Sequence, residues 1–582
     1  MKRYLITTAD ERSWVFDQPV LFLGEWCRRY DRKHIWSRMD AVVAEPYILR
    51  KSEQEKEILY LEAVKSRLLD EMISALNSLH QTDHDKRYWE IVIGHWLQVY
   101  VPVMYNRYKT LEKAIKHYDI SSALVMDVKQ DLCIATDSTQ VIWSCDQDLW
   151  NHVCYSELLQ WMSEIRLDRM VLKPGAAENS FKNDHNNRFS LTKKRQIMDR
   201  LSSVFMQKND AFIINSYLPA KSAIKLNLSL YQFPQIWNSY NFDRATANVL
   251  QRKALSLNAE GLSGVEQYIF LKVLHHIPTC YLEGYKKLVQ KTKQVNWPSE
   301  PKFIFTSNNF HSDEVFKVWL ASKVEQGVPY FAGQHGNNYE TRFDSKFCPE
   351  VSTSDKFLTW GWEQNIGKDV PAFIFKIAGK KRRFDPLGGL LLIELHHPHL
   401  SSPFDECHEF SFYQEEQFLF ANSLPKNIHQ KLIVRLHHDY KKFPWMEEKR
   451  WKDSSPDTVL ETGNLPIDQL ISRSRLIVHS YDSTGILETL ALNIPTLCFW
   501  NNEFKHVLLS AQPSYELLKA AGIYQSSAED AVRFIADNWD NLDEWWFSKQ
   551  TQEARENFCS RFARTTKKPI RLLKQLLIAP VA

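Results

Sequence analysis

The pattern of hydrophobic and polar positions changes from helical spacing to strand-helix alternation along the chain. Over 53–79 and 88–118, apolar residues recur at three- and four-residue steps, which predicts two long helices. Later, short apolar runs alternate with amphipathic segments, with a strand predicted at 303–306, a helix at 312–325 and a strand at 328–332. Strands that alternate with helices across short turns indicate a parallel sheet.

The first 300 residues are less regular. Short apolar runs predict strands at 4–7, 20–23, 123–127 and 141–145, and a helix at 191–205. We assign these elements to the same domain as the two long helices. We therefore predict a first Rossmann-like domain that carries extra helices and extends to residue 375.

A basic segment rich in turn-forming residues, 376–389, predicts a linker, because lysines and arginines there are mixed with proline and glycines. A second α/β series follows it, with elements predicted at 390–395, 413–423, 431–436, 458–460, 466–472, 476–479, 485–492 and 496–499. We predict a second Rossmann-like domain over 390–550 and a helical tail over 551–582. Two such domains face a central cleft at the carboxyl ends of their strands, where open α/β folds bind ligands.

Composition limits the function classes. The 582 residues are 44% hydrophobic and 25% charged, with a net charge of +3, which gives no basic footprint for nucleic acid. The nine cysteines contain no Cys-x-x-Cys pair and indicate reduced thiols. No apolar stretch reaches the ~18 residues of a membrane span, and the first residues lack the apolar region of a signal peptide. We expect a cytoplasmic protein.

The strongest candidate site lies where a predicted buried strand ends and a helix begins. Hydroxyls of Ser480, Ser483 and Thr484 precede Gly485, whose lack of a side chain allows a close approach. Free backbone N–H groups at a helix start bind anions such as phosphate, and Glu488, one turn later, could accept from ribose hydroxyls. The alternative is an ordinary capped helix in which serine and threonine satisfy the backbone.

Two further candidates follow other strands. Arg435 and His437 end one strand on the same face, which suits a diphosphate or acid-base chemistry. Alternatively, Arg435 pairs with a carboxylate and His438 is merely exposed. His335 follows the 328–332 strand, where an imidazole could take a proton from a hydroxyl, or could simply bond to the backbone of a turn.

Other features have weaker interpretations. Glu25 follows a strand and is either a catalytic base or a buried cap, and His95 on the second long helix either touches an acceptor or belongs to the core. His396, His397 and His399 form a dense group that we interpret as a cleft loop rather than a metal site. No Asp-x-Asp pair stands in a suitable loop. We expect no metal and no cofactor.

The tail from residue 560 contains six basic residues with no acidic one, accompanied by leucines. A basic amphipathic helix can lie on the anionic inner face of the cytoplasmic membrane, where a lipid-linked acceptor would be found. The alternative is a helix that crosses back and braces the first domain.

Three of these segments, in their order, resemble the bacterial surface-carbohydrate transferases. That group includes the CDP-glycerol polymerases of teichoic acid synthesis, the capsule Kdo transferases and the GT-B sialyltransferases. His335-Gly336 resembles a His-Gly motif, although Gln334 stands where tryptophan is usual. Residues 435–438 resemble a Lys-x-His-Pro motif with arginine for lysine and histidine for proline, and 480–485 loosely resemble an Asp-Tyr-Ser-Ser segment.

The whole chain is similar to a family of transferases from O-antigen and surface-polysaccharide loci. The similar stretches are 5–8, 22–27, 87–89, 94–96, 216–219, 333–336 and 359–362. This whole-chain resemblance implies a transferase and does not name the donor sugar. The resemblance to the surface-carbohydrate transferases implies a GT-B-like fold and a CMP- or CDP-linked donor, with a surface polysaccharide or glycolipid as acceptor. We expect the transfer to be metal-independent, because a helix start that binds the leaving phosphate supplies electrostatic catalysis without a metal.

By this hypothesis the 480–488 segment and Arg435 bind the donor, His335 deprotonates the acceptor and His437 stabilises the leaving phosphate. Two alternatives remain open. One is a nucleotide-sugar 2-epimerase of the same fold. The other is a non-catalytic polysaccharide-binding protein.

Overall fold

A computed structural model gives the fold of the protein. It describes residues 1–128, 134–162, 165–172, 204–235, 240–343, 347–395, 404, 406–442, 445–501 and 504–580. The predicted helix at 191–205 lies almost wholly outside these residues, and His396, His397 and His399 lie outside them as well.

Three parallel sheets form the framework of the described residues. The first has the strand order β3-β2-β1-β4-β5, with β1 Arg3–Ile6, β2 Val20–Phe22, β3 Ala41–Val43, β4 Ile120–Asp127 and β5 Arg166–Val171. The second has the order β10-β9-β8-β7-β6, with β6 Phe212–Ile213, β7 Ile304–Thr306, β8 Tyr330–Gly333, β9 Lys356–Thr359 and β10 Asp369–Pro371. The third has the order β13-β12-β11-β14-β15-β16, with β11 Gly389–Ile393, β12 Leu432–Arg435, β13 Val459–Glu461, β14 Ser474–His479, β15 Thr496–Phe499 and β16 Tyr524–Gln525.

Helices cover and connect these sheets. In the first half they are α1 Lys33–Trp36, α2 Lys51–His80, α3 Lys86–His117, α4 Ser138–Cys145, α5 Asp148–Met162, α6 Ala220–Ser229, α7 Val249–Lys253, α8 Gly264–His276, α9 Tyr285–Thr292, α10 Glu314–Glu325 and α11 Pro349–Thr353. In the second half they are α12 Glu406–Ser423, α13 Lys426–His429, α14 Glu447–Ser454, α15 Ile467–Ile471, α16 Thr484–Ala491, α17 Gln512–Ala520, α18 Ala528–Asn538, α19 Leu542–Trp546, α20 Lys549–Phe562 and α21 Pro569–Ile578.

The α/β class with parallel sheets is confirmed, and the first half is richer than the sequence indicated. In the part of it that the structure describes, it contains two separate five-stranded sheets. The predicted strand at 141–145 is wrong, because these residues belong to α4, whose start is capped by the Asp137 side chain accepting from the Gln140 N–H. A short apolar run fits a strand and a buried helical turn equally well, so its pattern alone could not decide.

The third sheet has the strand order of a doubly wound Rossmann sheet, and the order reverses between β11 and β14. Ile393 of β11 is paired in register with His479 of β14. The next residues, Glu394 and Ser480, therefore flank the crevice at the carboxyl ends of these strands. This is the position at which open α/β sheets bind ligands.

The C-terminal helix α21 packs against the second sheet. Leu573 and Leu577 are buried in the same cluster as Phe303, Phe331 and Leu358. The tail therefore packs as the bracing alternative stated. The side of α21 that carries Leu573 and Leu577 is covered by the second sheet. Among the described residues, no helix combines the length and the apolar character needed to cross a bilayer.

Candidate active site

The loop after β8 is held by the side chain of Gln334, which is buried. Its Oε1 accepts from the Trp360 N–H and from the Trp362 Nε1–H, both at 2.8 Å, and its Nε2 donates to the Gly336 carbonyl at 2.9 Å. Three hydrogen bonds to one buried amide fix the path of the chain on both sides of His335.

His335 contacts one hydroxyl and one further imidazole. Its Nδ1 lies 2.9 Å from Tyr339 Oη, and its Nε2 lies 3.4 Å from His311 Nε2. Burial, with smaller contributions from His311 and Lys376, lowers the pKa of His335 to about 3. The imidazole is therefore neutral at physiological pH, and its surroundings disfavour the protonated form, so that His335 in this state is a weaker base than a free histidine.

A buried carboxylate lies behind this imidazole. Tyr339 Oη donates to Glu350 Oε1, and Glu350 Oε2 is 3.6 Å from His95 Nε2. Burial raises the pKa of Glu350 to about 7 and lowers that of His95 well below its usual value. His95 also stacks on Phe310, so it is a core residue, as the alternative interpretation stated, and at the same time a member of the group around His335.

The loop after β8 directly contacts the start of α16. The Asn337 N–H donates to Thr484 Oγ1 at 3.2 Å, and Asn337 Nδ2 donates to Asp482 Oδ1 at 2.6 Å. Asp482 Oδ2 also accepts from His506 Nε2 at 3.0 Å and Tyr515 Oη at 2.9 Å. Two of the three segments predicted from the sequence thus adjoin, one from the second sheet and one from the third.

The serines of the 480–485 segment have structural partners. Ser483 caps α16, since its Oγ accepts from the Ile486 N–H at 3.3 Å. Ser480 Oγ lies 2.8 Å from Tyr413 Oη. A Cβ on Gly485 would lie 2.6 Å from His479 Cε1, so a side chain there would collide with the end of β14. The capping interpretation therefore holds for Ser483, whereas Thr484 faces the loop of the other sheet.

Glu488 forms an ion pair with Lys376, a residue of the predicted linker. Lys376 Nζ lies 3.4 Å from Glu488 Oε1 and 5.3 Å from the centre of the Tyr217 ring, and both members of the ion pair are partly exposed. Lys376 also acts on the pKa of His335. A lysine ammonium therefore lies between the base candidate and the first turns of α16.

Arg435 and His437 have local partners. Arg435 Nη1 is 2.8 Å from Glu461 Oε2, and both side chains are largely buried, which is the carboxylate pairing proposed as the alternative. His437 Nδ1 accepts from the Asp439 N–H at 3.2 Å, and its ring lies 4.2 Å from that of His438, which is exposed. The donor-binding role of Arg435 and the phosphate role of His437 remain predictions.

Glu25 begins a short 3-10 helix, Glu25–Cys27, which follows β2 of the first sheet. Its carboxylate pairs with Arg28 at 2.5 Å, which gives it a structural partner. A role for Glu25 on the acceptor side remains a prediction.

Two groups among the described residues have their ligand atoms close enough to share a cation. They are His311, His335 and Glu350, and His437, His438 and Asp439, each with one ligand atom per residue within 4.8 Å of the others.

Several members of the site were not predicted from the sequence. Glu394, which follows β11 in the crevice, accepts from Trp451 Nε1 at 3.1 Å, and burial with the nearby Glu447 raises its pKa well above the usual value. Asp482 lies within the predicted 480–485 segment but was assigned no role there, and Tyr339 was likewise assigned none. Tyr339 follows His335 by four residues, a spacing that could have suggested a contact, whereas nothing local marks Glu350.

Comparison with known proteins gives one family match. The sequence model of one protein family, described as LIC12162 family transferase, matches residues 3–577. No curated protein matches the sequence.

Several solved structures are similar at low identity. The spinosyn rhamnosyltransferase SpnG complexed with thymidine diphosphate is 11% identical, covers 51% of this chain and 78% of its own, and has a TM-score of 0.29. The wall teichoic acid polymerase TagF is 10% identical over 66% of this chain and 92% of its own, with a TM-score of 0.32. The Methanocaldococcus jannaschii UDP-GlcNAc 2-epimerase in complex with UDP-GlcNAc and UDP is 11% identical over 79% of this chain and 99% of its own, with a TM-score of 0.32.

Proposed function

This chain belongs to the LIC12162 family of transferases, and from that membership we propose that it transfers a sugar from a nucleotide-activated donor to a carbohydrate or lipid-linked acceptor without a metal. The observation that carries the proposal is the contact between the loop of His335 and the start of α16, through Asn337 and Thr484. This contact brings a neutral imidazole beside the ligand-binding edge of a Rossmann-ordered sheet.

The donor binds along the crevice of the third sheet. The backbone at the start of α16 and the Lys376 ammonium offer positive potential to the phosphates, and Glu488 can exchange its ion pair for ribose hydroxyls. Stabilising the leaving phosphate by fixed dipoles and an ammonium is electrostatic catalysis that needs no metal. The motif resemblance favours a CMP- or CDP-linked donor, which also fits a reaction in the cytoplasm.

The acceptor binds on the side of the second sheet, with its hydroxyl at His335. The imidazole takes the hydroxyl proton while the oxygen bonds to the anomeric carbon of the donor. The bond from that carbon to the phosphate oxygen breaks, and its electron pair leaves with the nucleotide. General-base catalysis of this kind contributes about 10²–10⁴-fold to a rate.

Two measurements test the proposal. Thermal shift against CMP, CDP, UDP, GDP and their sugars identifies the donor, because a ligand at a hundred times its Kd adds about 2.7 kcal/mol to the state that it binds. Turnover of that donor is then followed in wild type and in His335→Ala. We expect His335→Ala to bind the donor and lose turnover. Donor epimerised without an acceptor, or a variant as active as wild type, would overturn the proposal.

A further inference from the structure

The ionised state of Glu350 fixes the donors and acceptors in the hydrogen-bonded chain from His335 through Tyr339 to Glu350. An ionised Glu350 can only accept, so the hydroxyl of Tyr339 donates to Glu350 Oε1. The oxygen of Tyr339 is then free to accept from His335 Nδ1, 2.9 Å away. This order places the imidazole proton on Nδ1 and leaves the lone pair on Nε2, which faces His311 Nε2 at 3.4 Å. An acceptor hydroxyl has to approach Nε2 beside His311.

Resting on the proposed function, we propose that Tyr339 and Glu350 are positioning residues that hold His335 in its Nδ1–H tautomer and stabilise the imidazolium formed when Nε2 takes the acceptor proton. The proton moves from the acceptor hydroxyl to Nε2, and the positive charge on the ring is balanced through Tyr339 by the carboxylate of Glu350. The imidazolium later releases its proton to solvent.

The two residues are held rigidly. Tyr339 and Glu350 are both almost fully buried, at 2% and 1% exposure. Glu350 lies in the first turn of α11, which packs on α3, where Gly94 allows Pro349 to approach: a Cβ on Gly94 would lie 3.3 Å from that ring. A base that is oriented from behind by an immobile acceptor keeps its reactive nitrogen in one direction.

The charge state of Glu350 depends on the groups that face it from every packed element. Tyr339 and Cys348 donate hydrogen bonds to it, Lys65 of α2 stabilises its charge from a distance, and His95 of α3 stands 3.6 Å away. One ring nitrogen each of His311 and His335 lies within 4.8 Å of its carboxylate, and the charge of Glu350 helps to raise the pKa of Tyr330 in β8. Burial outweighs these contributions and raises the pKa of Glu350 to about 7. The carboxylate that the relay needs therefore forms as pH rises through 7.

Isosteric variants test the relay. In Glu350→Gln and in Tyr339→Phe we expect kcat to fall about 10–100-fold with little change in KM, because the acceptor and donor contacts remain. We expect wild-type activity to rise with pH through about 7, and this limb to be absent from Glu350→Gln. Glu350→Asp should restore part of the rate.

Tyr330→Phe is the matched control. Tyr330 is a buried tyrosine of β8, and its Oη has no hydrogen-bond partner, although the charge of Glu350 helps to raise its pKa. We expect it to leave kcat and the pH profile unchanged. If Tyr330→Phe and Tyr339→Phe lowered kcat equally, the relay would be wrong, since any buried hydroxyl would then have the same effect.

An infrared titration separates this proposal from the proposed function. The difference spectrum of wild type against Glu350→Gln should show one carboxylic acid ionising near pH 7, whether or not a donor is known. If wild type turns over a nucleotide-sugar and Glu350→Gln keeps the same rate and pH limb, the relay is refuted while the function stands. If the titration appears and no nucleotide-sugar is turned over or bound, the proposed function fails. A stoichiometric metal at His311, His335 and Glu350 would refute the relay, because the metal would occupy the Nε2 lone pair.

Discussion

The contact between the second and third sheets can be measured as a coupling energy. Asn337 Nδ2 donates to the buried carboxylate of Asp482 at 2.6 Å. A hydrogen bond to a charged group contributes about 1.5–3 kcal/mol, so Asn337→Ala should lower the local opening free energy by that amount. Asp482→Ala should cost more, about 3–5 kcal/mol, because His506 and Tyr515 also lose their buried acceptor.

Hydrogen exchange of peptides covering 336–342 and 482–492 measures these local opening energies without assuming two-state unfolding of a large chain. Both single variants remove the same Asn337–Asp482 hydrogen bond, so the double variant loses its contribution only once. The loss in the double variant should therefore fall short of the sum of the single losses by about 1–3 kcal/mol.

Asn338→Ala is the matched control, because it removes the same amide from the neighbouring position. It should be additive with Asp482→Ala within about 0.5 kcal/mol. If the Asn337→Ala and Asp482→Ala losses were also additive within that margin, the two segments would not be energetically joined. The loop after β8 and the start of α16 would then not form one site.

Other predictions concern packing and pH. Leu577→Ala in α21 should cost about 2–5 kcal/mol and lower the melting temperature, whereas Ile578→Ala, exposed at 56%, should change it little. Gly485→Ala should lower the melting temperature by a cost of about 1–3 kcal/mol, since the new Cβ meets the ring of His479 at 2.6 Å. His335 and His479 have folded pKa values of about 3 against 6.5 when unfolded, so the stability they contribute is complete above pH 6.5 and is lost as pH falls towards 3. Calorimetry from pH 8 to 4 should show that loss, and a constant melting temperature would contradict it. Donor turnover should be unchanged by EDTA, and an EDTA-sensitive rate restored by a divalent cation would contradict metal independence.

The later α/β series was the part of the fold best predicted from sequence. There each strand is a short apolar run followed by a helix, and the predicted strand at 496–499 is β15. The first sheet was only partly predicted, because its strands are separated by α2 and α3, which together span residues 51–117. A sheet whose neighbouring strands lie so far apart in the chain leaves no local signal of its order.

The candidate site likewise has one part that local sequence patterns predict and another part that they do not. The start of α16 and His335 were predictable, because helix-start chemistry and a histidine after a strand are local patterns. The partner of Arg435 was not, since Glu461 comes 26 residues later on a neighbouring strand that only the folded sheet brings alongside. Glu350 and Lys376 likewise reach His335 through tertiary packing. Whether Glu350 and Lys376 are structural residues or take part in the chemistry depends on those tertiary contacts.

The most direct test of the central claim is single-turnover transfer by the full chain, measured with the donor found by thermal shift, in wild type and in His335→Ala. We expect the variant to bind this donor as tightly as wild type and to transfer its sugar at least about 100-fold more slowly. An equal rate of transfer in the two proteins would contradict it, because the imidazole beside the third sheet would then take no part in the reaction.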